Sequence, residues 1–190
     1  MSAMHPLIDP AALQAAATRV RIVDCSHDLV QPALGQQQYE QGHIPGAVHA
    51  HLDRDLSGPT TGHNGRHPLP TAEAFCAWLG RQGITPGMTV VAYDRSGGMY
   101  AARLWWMLRH WAGHTAVAVL DGGWQAWQAA GGAAAGGESR VAATVFAGEP
   151  RAAQRVLLAE VPALHASLVD ARDPARFRGE VEPIDPRAGH

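Results

Sequence analysis

The sequence predicts an α/β domain, a central parallel sheet of about five strands with helices on both faces, over residues 5–135. Two observations point to it. First, short β-branched runs alternate with helical patterns, the arrangement that builds a parallel sheet covered on both sides. Second, one stretch reads as a complete strand–loop–helix unit: Thr89-Val-Val-Ala-Tyr-Asp94, then Arg95-Ser-Gly-Gly-Met-Tyr100, then Ala101-Ala-Arg-Leu-Trp-Trp-Met-Leu-Arg109. An apolar run breaks at a polar, glycine-containing turn and restarts as an amphipathic helix. Loop N–H groups and a helix N-terminus converge on such a loop and form an anion cradle, here Asp94, Arg95, Ser96, Gly97, Gly98 and Met99.

The other elements follow in order. A short helix is predicted over 9–17, with Asp9 as N-cap and Pro10 in the first turn. Residues 20–24 read as a strand, and 27–41 as a polar, glutamine-rich segment. Gly42-His-Ile-Pro-Gly-Ala47 reads as a turn into a second strand over 48–52. The loop 53–70, rich in Gly, Pro, Thr and His, has the length of a functional or mobile segment. A helix over 71–83 is capped by Thr71 and shows Phe75, Trp78 and Leu79 on one face. The helix after the cradle is expected over 99–111, with Leu104, Leu108 and Trp111 on one stripe. A strand over 116–120, an Asp121-Gly-Gly turn and a helix over 124–130 complete the domain. Residues 136–160 read as a linker, beginning in the small-residue run 131–137.

Bulk properties narrow the function. The 190 residues are 46% hydrophobic with net charge −2, which suggests neither nucleic acid nor an anionic membrane as partner. No signal pattern or spanning run is visible, so a cytoplasmic location is expected. The two cysteines, Cys25 and Cys76, make no disulfide framework, and both read as buried small hydrophobes. All fifteen basic residues are arginine. That excludes a Schiff-base lysine and a lysine-bearing phosphate loop from this chain, and leaves arginine's planar fork for gripping anions.

The tail repeats the head. Leu168-Val-Asp-Ala-Arg172 echoes Ile22-Val-Asp-Cys-Ser26, and Gly189-His190 echoes Gly42-His43, at offsets that agree to one residue. The pattern predicts one full repeat over 5–135 and the start of a second over 161–190.

These motifs resemble the tandem-domain rhodaneses, the thiosulfate and 3-mercaptopyruvate sulfurtransferases. The match rests on Val23-Asp24, Gly42-His-Ile-Pro-Gly-Ala47, Val91-Ala-Tyr-Asp-Arg-Ser-Gly-Gly-Met-Tyr-Ala-Ala-Arg103, and Leu120-Asp-Gly-Gly-Trp124 with Trp127. The resemblance implies a rhodanese-like fold. It also implies transfer of a sulfane sulfur from a small anionic donor to a thiol or cyanide, through a cysteine persulfide and without cofactor or metal. In two-domain members the persulfide cysteine lies in the second domain, and the first carries Asp in the equivalent place. Asp94 matches that pattern, so the chain is expected to be inactive alone and to need the C-terminal rhodanese domain as its partner. Asp53 and His67 match an acid and a histidine that assist proton transfer in the mercaptopyruvate branch. Arg176 matches a substrate-binding arginine. A second such arginine follows a Glu-Pro pair in that branch; here Glu182-Pro183 is followed by Ile184, with Arg187 further on, which leaves thiosulfate and 3-mercaptopyruvate both open as donors.

Two other readings stand beside this one. An inactive rhodanese-like domain can serve as a binding or regulatory module. Alternatively, His49-Ala-His51-Leu-Asp53 places possible metal ligands at alternate strand positions and resembles part of a metallo-β-lactamase signature, with Arg54 where its last histidine should stand.

Overall fold

Strand polarity and side-chain alternation decide where everything else sits. The computed structural model describes residues 4–148, 151 and 154–183. The chain forms two units, Met1–Arg155 and Val156–His190.

The first unit is a five-stranded, all-parallel sheet in the order β1-β5-β4-β2-β3. Its strands are β1 (Leu7–Ile8), β2 (Val20–Asp24), β3 (Val48–His49), β4 (Thr89–Tyr93) and β5 (Val117–Leu120). Its helices are α1 (Pro10–Ala16), α2 (Leu34–Gln41), α3 (Ala72–Arg81), α4 (Met99–Trp106) and α5 (Gly123–Ala129). Central β4 shows why both faces are covered. Val90 and Ala92 join a core with Phe75, Trp78, Leu79, Leu104 and Leu108 of the α3/α4 layer. Val91 and Tyr93, one residue out of phase, join a core with Leu13, Trp124 and Trp127 of the α1/α5 layer. Successive strand residues point to opposite faces, so an unbroken apolar run fills two cores at once.

The helix caps follow the sequence. Asp9 Oδ1 accepts the Ala12 N–H at 2.8 Å, and Thr71 Oγ1 accepts the Ala74 N–H at 3.2 Å. Four local expectations change. Residues 34–41, read as a polar segment, form α2, anchored by buried Gly35 and Tyr39; a Cβ on Gly35 would stand 2.0 Å from the Ser26 carbonyl oxygen, so only glycine lets α2 pack there. The second strand pairs over two residues only, because β3 sits at the sheet edge and the chain turns away after His49. The helix after the cradle is α-helical to Trp106 and widens to a π-turn over Met107–Trp111, closed by the Ala112 N–H to the Met107 carbonyl at 2.7 Å. Leu7–Ile8 adds an edge strand beside β5.

Residues 136–148, expected as linker, lie against the sheet domain. Ala135 and His43 exchange backbone hydrogen bonds, the Thr144 N–H donates to the Gly80 carbonyl at 2.8 Å, and Phe146 is buried in the α3/α4 core. The N–H groups of Gly137, Ser139 and Thr144 are thus paired on the domain.

The described part of the second unit holds a 3₁₀ segment, Leu158–Ala163, and the short helix α6 (Pro174–Phe177) capped by Asp173. Leu168 and Val169 are exposed and pair with no strand among the described residues. Asp170 nevertheless accepts the Arg172 N–H at 2.9 Å, the same i+2 turn in which Asp24 accepts the Ser26 N–H at 2.8 Å. No helix among the described residues is long and apolar enough to cross a membrane.

Candidate functional site

The site lies where β2, β3 and β4 end, the carboxyl edge of a parallel sheet, where open α/β folds place their chemistry. The cradle loop follows β4. Gly98, at φ 92°, turns the loop into α4. The four loop and first-turn amides all point at one carboxylate. Asp94 Oδ1 accepts from Ser96 and Gly98, each at 2.8 Å, and Oδ2 accepts from Tyr100 and Ala101, each at 2.9 Å. Asp94 is wholly buried. Its negative charge faces the N-terminus of α4 and has an N–H donor on each of four lone-pair positions. Its backbone oxygen takes the Trp124 N–H at 3.0 Å, and Gly123 must be glycine: a Cβ there would stand 2.4 Å from that oxygen, at φ +57°. The cradle is an anion site that supplies its own anion.

Arg95 turns inward. Its Nη2 donates to the carbonyls of Gln38 and Gly42 at the end of α2, and its guanidinium lies 4.4 Å from the Trp124 ring centre. Arg95 is therefore a clamp between α2, the cradle and α5. Met99 is exposed at the cradle's rim. It lines, with Leu52, Arg66, His67, Tyr100 and Arg103, a cavity of about 310 Å³.

Beside the cradle stand three imidazoles and a carboxylate. His67 Nε2 is 3.2 Å from Asp53 Oδ1, and His27 Nε2 is 3.8 Å from Asp53 Oδ2. The Asp53 N–H donates to His51 Nδ1 at 3.2 Å. The His27 ring packs edge-on against both His51 and Tyr100, at 5.3 and 5.4 Å between centroids. Burial pushes the His27, His51 and His67 imidazolium forms down in pKa, against an upward pull from Asp53 in each case. The loop carrying Asp53 and His67 is held by Arg103, whose guanidinium donates to the carbonyls of Leu56 (2.7 Å) and His67 (3.0 Å).

The structure thus unites Asp53 and His67, as the sequence paired them, and adds His27, which sequence reading missed. The alternative His49–His51–Asp53 set is not the one assembled. His49 Nε2 is engaged by the Ser26 carbonyl at 3.1 Å, and the ring turns toward Tyr39. Arg176 forms a two-pronged ion pair with Glu182, with Nη2–Oε1 at 2.7 Å. Arg187 lies outside the described residues. Neither cysteine is a thiolate in waiting. Cys25, the residue after β2, is buried in the α3/α4 core, and burial, then Asp94 and Asp24, push its thiol well up; Cys76, half-buried in α3, is pushed up by burial too.

The fold, the cradle after the central strand and the paired sheet-edge loops define a rhodanese-type domain. The rhodanese-like domain family model matches residues 9–130, and the chain belongs to that family. It is 46% identical over 178 residues to a probable 3-mercaptopyruvate sulfurtransferase of Pseudomonas aeruginosa, covering 89% of this chain and 61% of that protein. It is 40% identical over 185 residues to the putative thiosulfate sulfurtransferase SseB of Mycobacterium tuberculosis, covering 95% and 64%. Among solved structures, a 3-mercaptopyruvate sulfurtransferase from Leishmania major superposes with a TM-score of 0.87 at 33% identity, over 100% of this chain and 54% of that one. SseA from Escherichia coli, a 3-mercaptopyruvate sulfotransferase, gives 0.84 at 27% identity, over 98% and 72%. The chain therefore spans a little over three-fifths of the length of the curated relatives described here.

Proposed function

We propose that this chain is the Asp-bearing, non-catalytic portion of a two-domain sulfurtransferase. In the whole enzyme, a cysteine thiolate of a second rhodanese domain takes the outer sulfur of thiosulfate with release of sulfite, or the thiol sulfur of 3-mercaptopyruvate with C–S cleavage and release of pyruvate, and passes the sulfur from the resulting persulfide to cyanide or a thiol, which returns the cysteine. The carrying observation is the state of Asp94: a buried carboxylate already takes four N–H groups of the cradle loop and the first turn of α4. A carboxylate offers no sulfur to persulfidate, and its charge repels the anionic donor from the same pocket. The first domain contributes one wall of the cleft. There Asp53 and His67 hold a proton for the transfer step. Arg176, which belongs to the second unit, would take the donor's anionic group in place of Glu182.

The test is a mass measurement. The purified chain, incubated with thiosulfate or with 3-mercaptopyruvate, is expected to gain no one-sulfur increment on Cys25 or Cys76. A stoichiometric persulfide on either cysteine overturns the proposal.

A further inference from the structure

We infer that Arg103 is the positioning residue of the Asp53–His67 pair. Its guanidinium fixes the His67 arm of the 53–70 loop against the Asp53 arm and ties both to α4, the helix that begins at the cradle. The inference rests on the reading above that Asp53 and His67 hold a proton for sulfur transfer. It adds a residue that acts through them and does not itself touch the donor.

The two arms of the loop are held unequally. The Asp53 arm is built into the edge of the domain. Leu52 and Leu56 are buried in the α3/α4 core. The Asp55 and Leu56 N–H groups donate to the His51 carbonyl at 2.9 and 3.2 Å, and Asp55 Oδ2 accepts the His51 N–H at 2.8 Å. Residues 59–66, in contrast, are exposed. Asn64 closes that stretch on itself, with Oδ1 accepting the Thr61 N–H at 2.8 Å and Nδ2 donating to the Pro59 carbonyl at 3.0 Å. His67 is the first residue to come back from this excursion, so its place depends on what receives the returning arm.

Arg103 receives it. Nη2 donates to the His67 carbonyl at 3.0 Å and to the Leu56 carbonyl at 2.7 Å, and Nε adds a second hydrogen bond to Leu56 at 3.1 Å. One planar fork therefore spans both arms, a geometry that a lysine's single ammonium does not reproduce. The Gly58 N–H to the Pro68 carbonyl, at 2.9 Å, is a parallel tie with no link to α4. One turn before Arg103, Tyr100 gives its N–H to Asp94 Oδ2 at 2.9 Å and sets its ring edge-on against His27. Both imidazoles that flank Asp53 thus lean on α4, His27 through the Tyr100 ring and His67 through the Arg103 fork. The charges that face His67 make its position matter. Burial, then Arg103 and Arg66, disfavour its imidazolium, and Asp53 favours it. How near the Asp53 carboxylate stands therefore governs how readily His67 takes a proton.

The experiment is a double-mutant cycle on the His67 imidazole of the full 190-residue chain, its pKa read by NMR in the wild type, Asp53→Asn, Arg103→Gln and the double variant. In the wild-type background Asp53→Asn removes the carboxylate and should lower the His67 pKa by about one unit. In the Arg103→Gln background the same change should lower it by less than half as much. The direct charge of Arg103 on His67 is missing from both members of that second pair and cancels. A purely structural role would lower overall stability and leave the coupling within folded molecules unchanged. Arg103→Lys keeps the charge without the fork, which protects the test if the Gln variant does not fold, and it too should at least halve the Asp53 effect. A His67 pKa that ignores Asp53→Asn in the wild type, or an undiminished Asp53 effect in either Arg103 variant, overturns the inference. The cycle needs no turnover: a persulfide on Cys25 or Cys76 would overturn the sulfur-transfer reading and leave the cycle as it stands.

Discussion

Replacing Asp94 by Asn changes one atom's chemistry at almost constant shape, and the structure fixes its cost. The carboxylate accepts four backbone N–H groups, two on each oxygen, at 2.8–2.9 Å. The Asn side chain offers one oxygen, which can serve two of them. Its NH₂ end then faces the remaining two N–H donors, leaving donors on both sides with no acceptor. Asp94 is fully buried, so water cannot repair this. Each buried group left unsatisfied costs about 1–3 kcal/mol, and the charge-assisted character of the lost bonds adds to it. No cavity term enters, because the volume is unchanged. The expected loss is about 3–5 kcal/mol, a large share of the ~5–15 kcal/mol that stabilises an ordinary domain. In urea unfolding, with a slope of about 2 kcal/mol/M, the midpoint should fall by roughly 2 M at unchanged slope. A loss below about 1 kcal/mol would show that the four hydrogen bonds do not hold the loop, and would refute the reasoning.

Three further outcomes follow from the same geometry. Asp94→Cys places a thiol where four amides and a helix N-terminus are arranged for an anion, so its pKa should fall below that of an ordinary thiol; alkylation rate against pH checks this, with the upward-shifted Cys25 and Cys76 as internal contrasts. Phe146→Ala removes a buried ring from the strap that closes the α3/α4 core and should cost about 3 kcal/mol in urea unfolding, whereas a solvated linker would lose nothing. The pH dependence has a definite sign. His27, His51 and His67 have folded pKa values below the ordinary 6.5, so the unfolded chain binds protons more readily, and stability should be full above pH 6.5 and fall as pH drops below it; His27→Gln should flatten that slope in melts recorded from pH 7.5 to 5.

The sequence made the strand–loop–helix around Asp94 legible because each of its parts is local. A β-branched run, two glycines and an apolar stripe need no distant contact to be read. Helix α2 was hidden because only Gly35 and Tyr39 of Leu34–Gln41 are buried, too few to print a hydrophobic period on a glutamine-rich stretch. The strap 136–148 was hidden because its hold on the domain is Phe146, Val141 and scattered hydrogen bonds, with no periodic apolar pattern. At the site, Asp53 and His67 were found by their resemblance to a family pattern. His27 was not, because its link to His51 is made by tertiary register. The β2–β3 pairing sets Asp24 beside His49, so residues just past those two positions become neighbours. The signal that could have found it is general: polar residues one to four positions past the ends of adjacent parallel strands share one edge. The same limit explains why the alternative His49–His51–Asp53 set does not assemble. Alternation places His49 and His51 on one side of an ideal strand, but the strand ends at His49.

On the proposal made above, a rhodanese domain whose cradle is filled by its own aspartate carries no sulfur. Thiocyanate formation by the purified 190-residue chain, with cyanide and either thiosulfate or 3-mercaptopyruvate, tests it most directly. No thiocyanate above the protein-free rate is expected. Sustained turnover that disappears when Cys25 or Cys76 is replaced by Ser would contradict it.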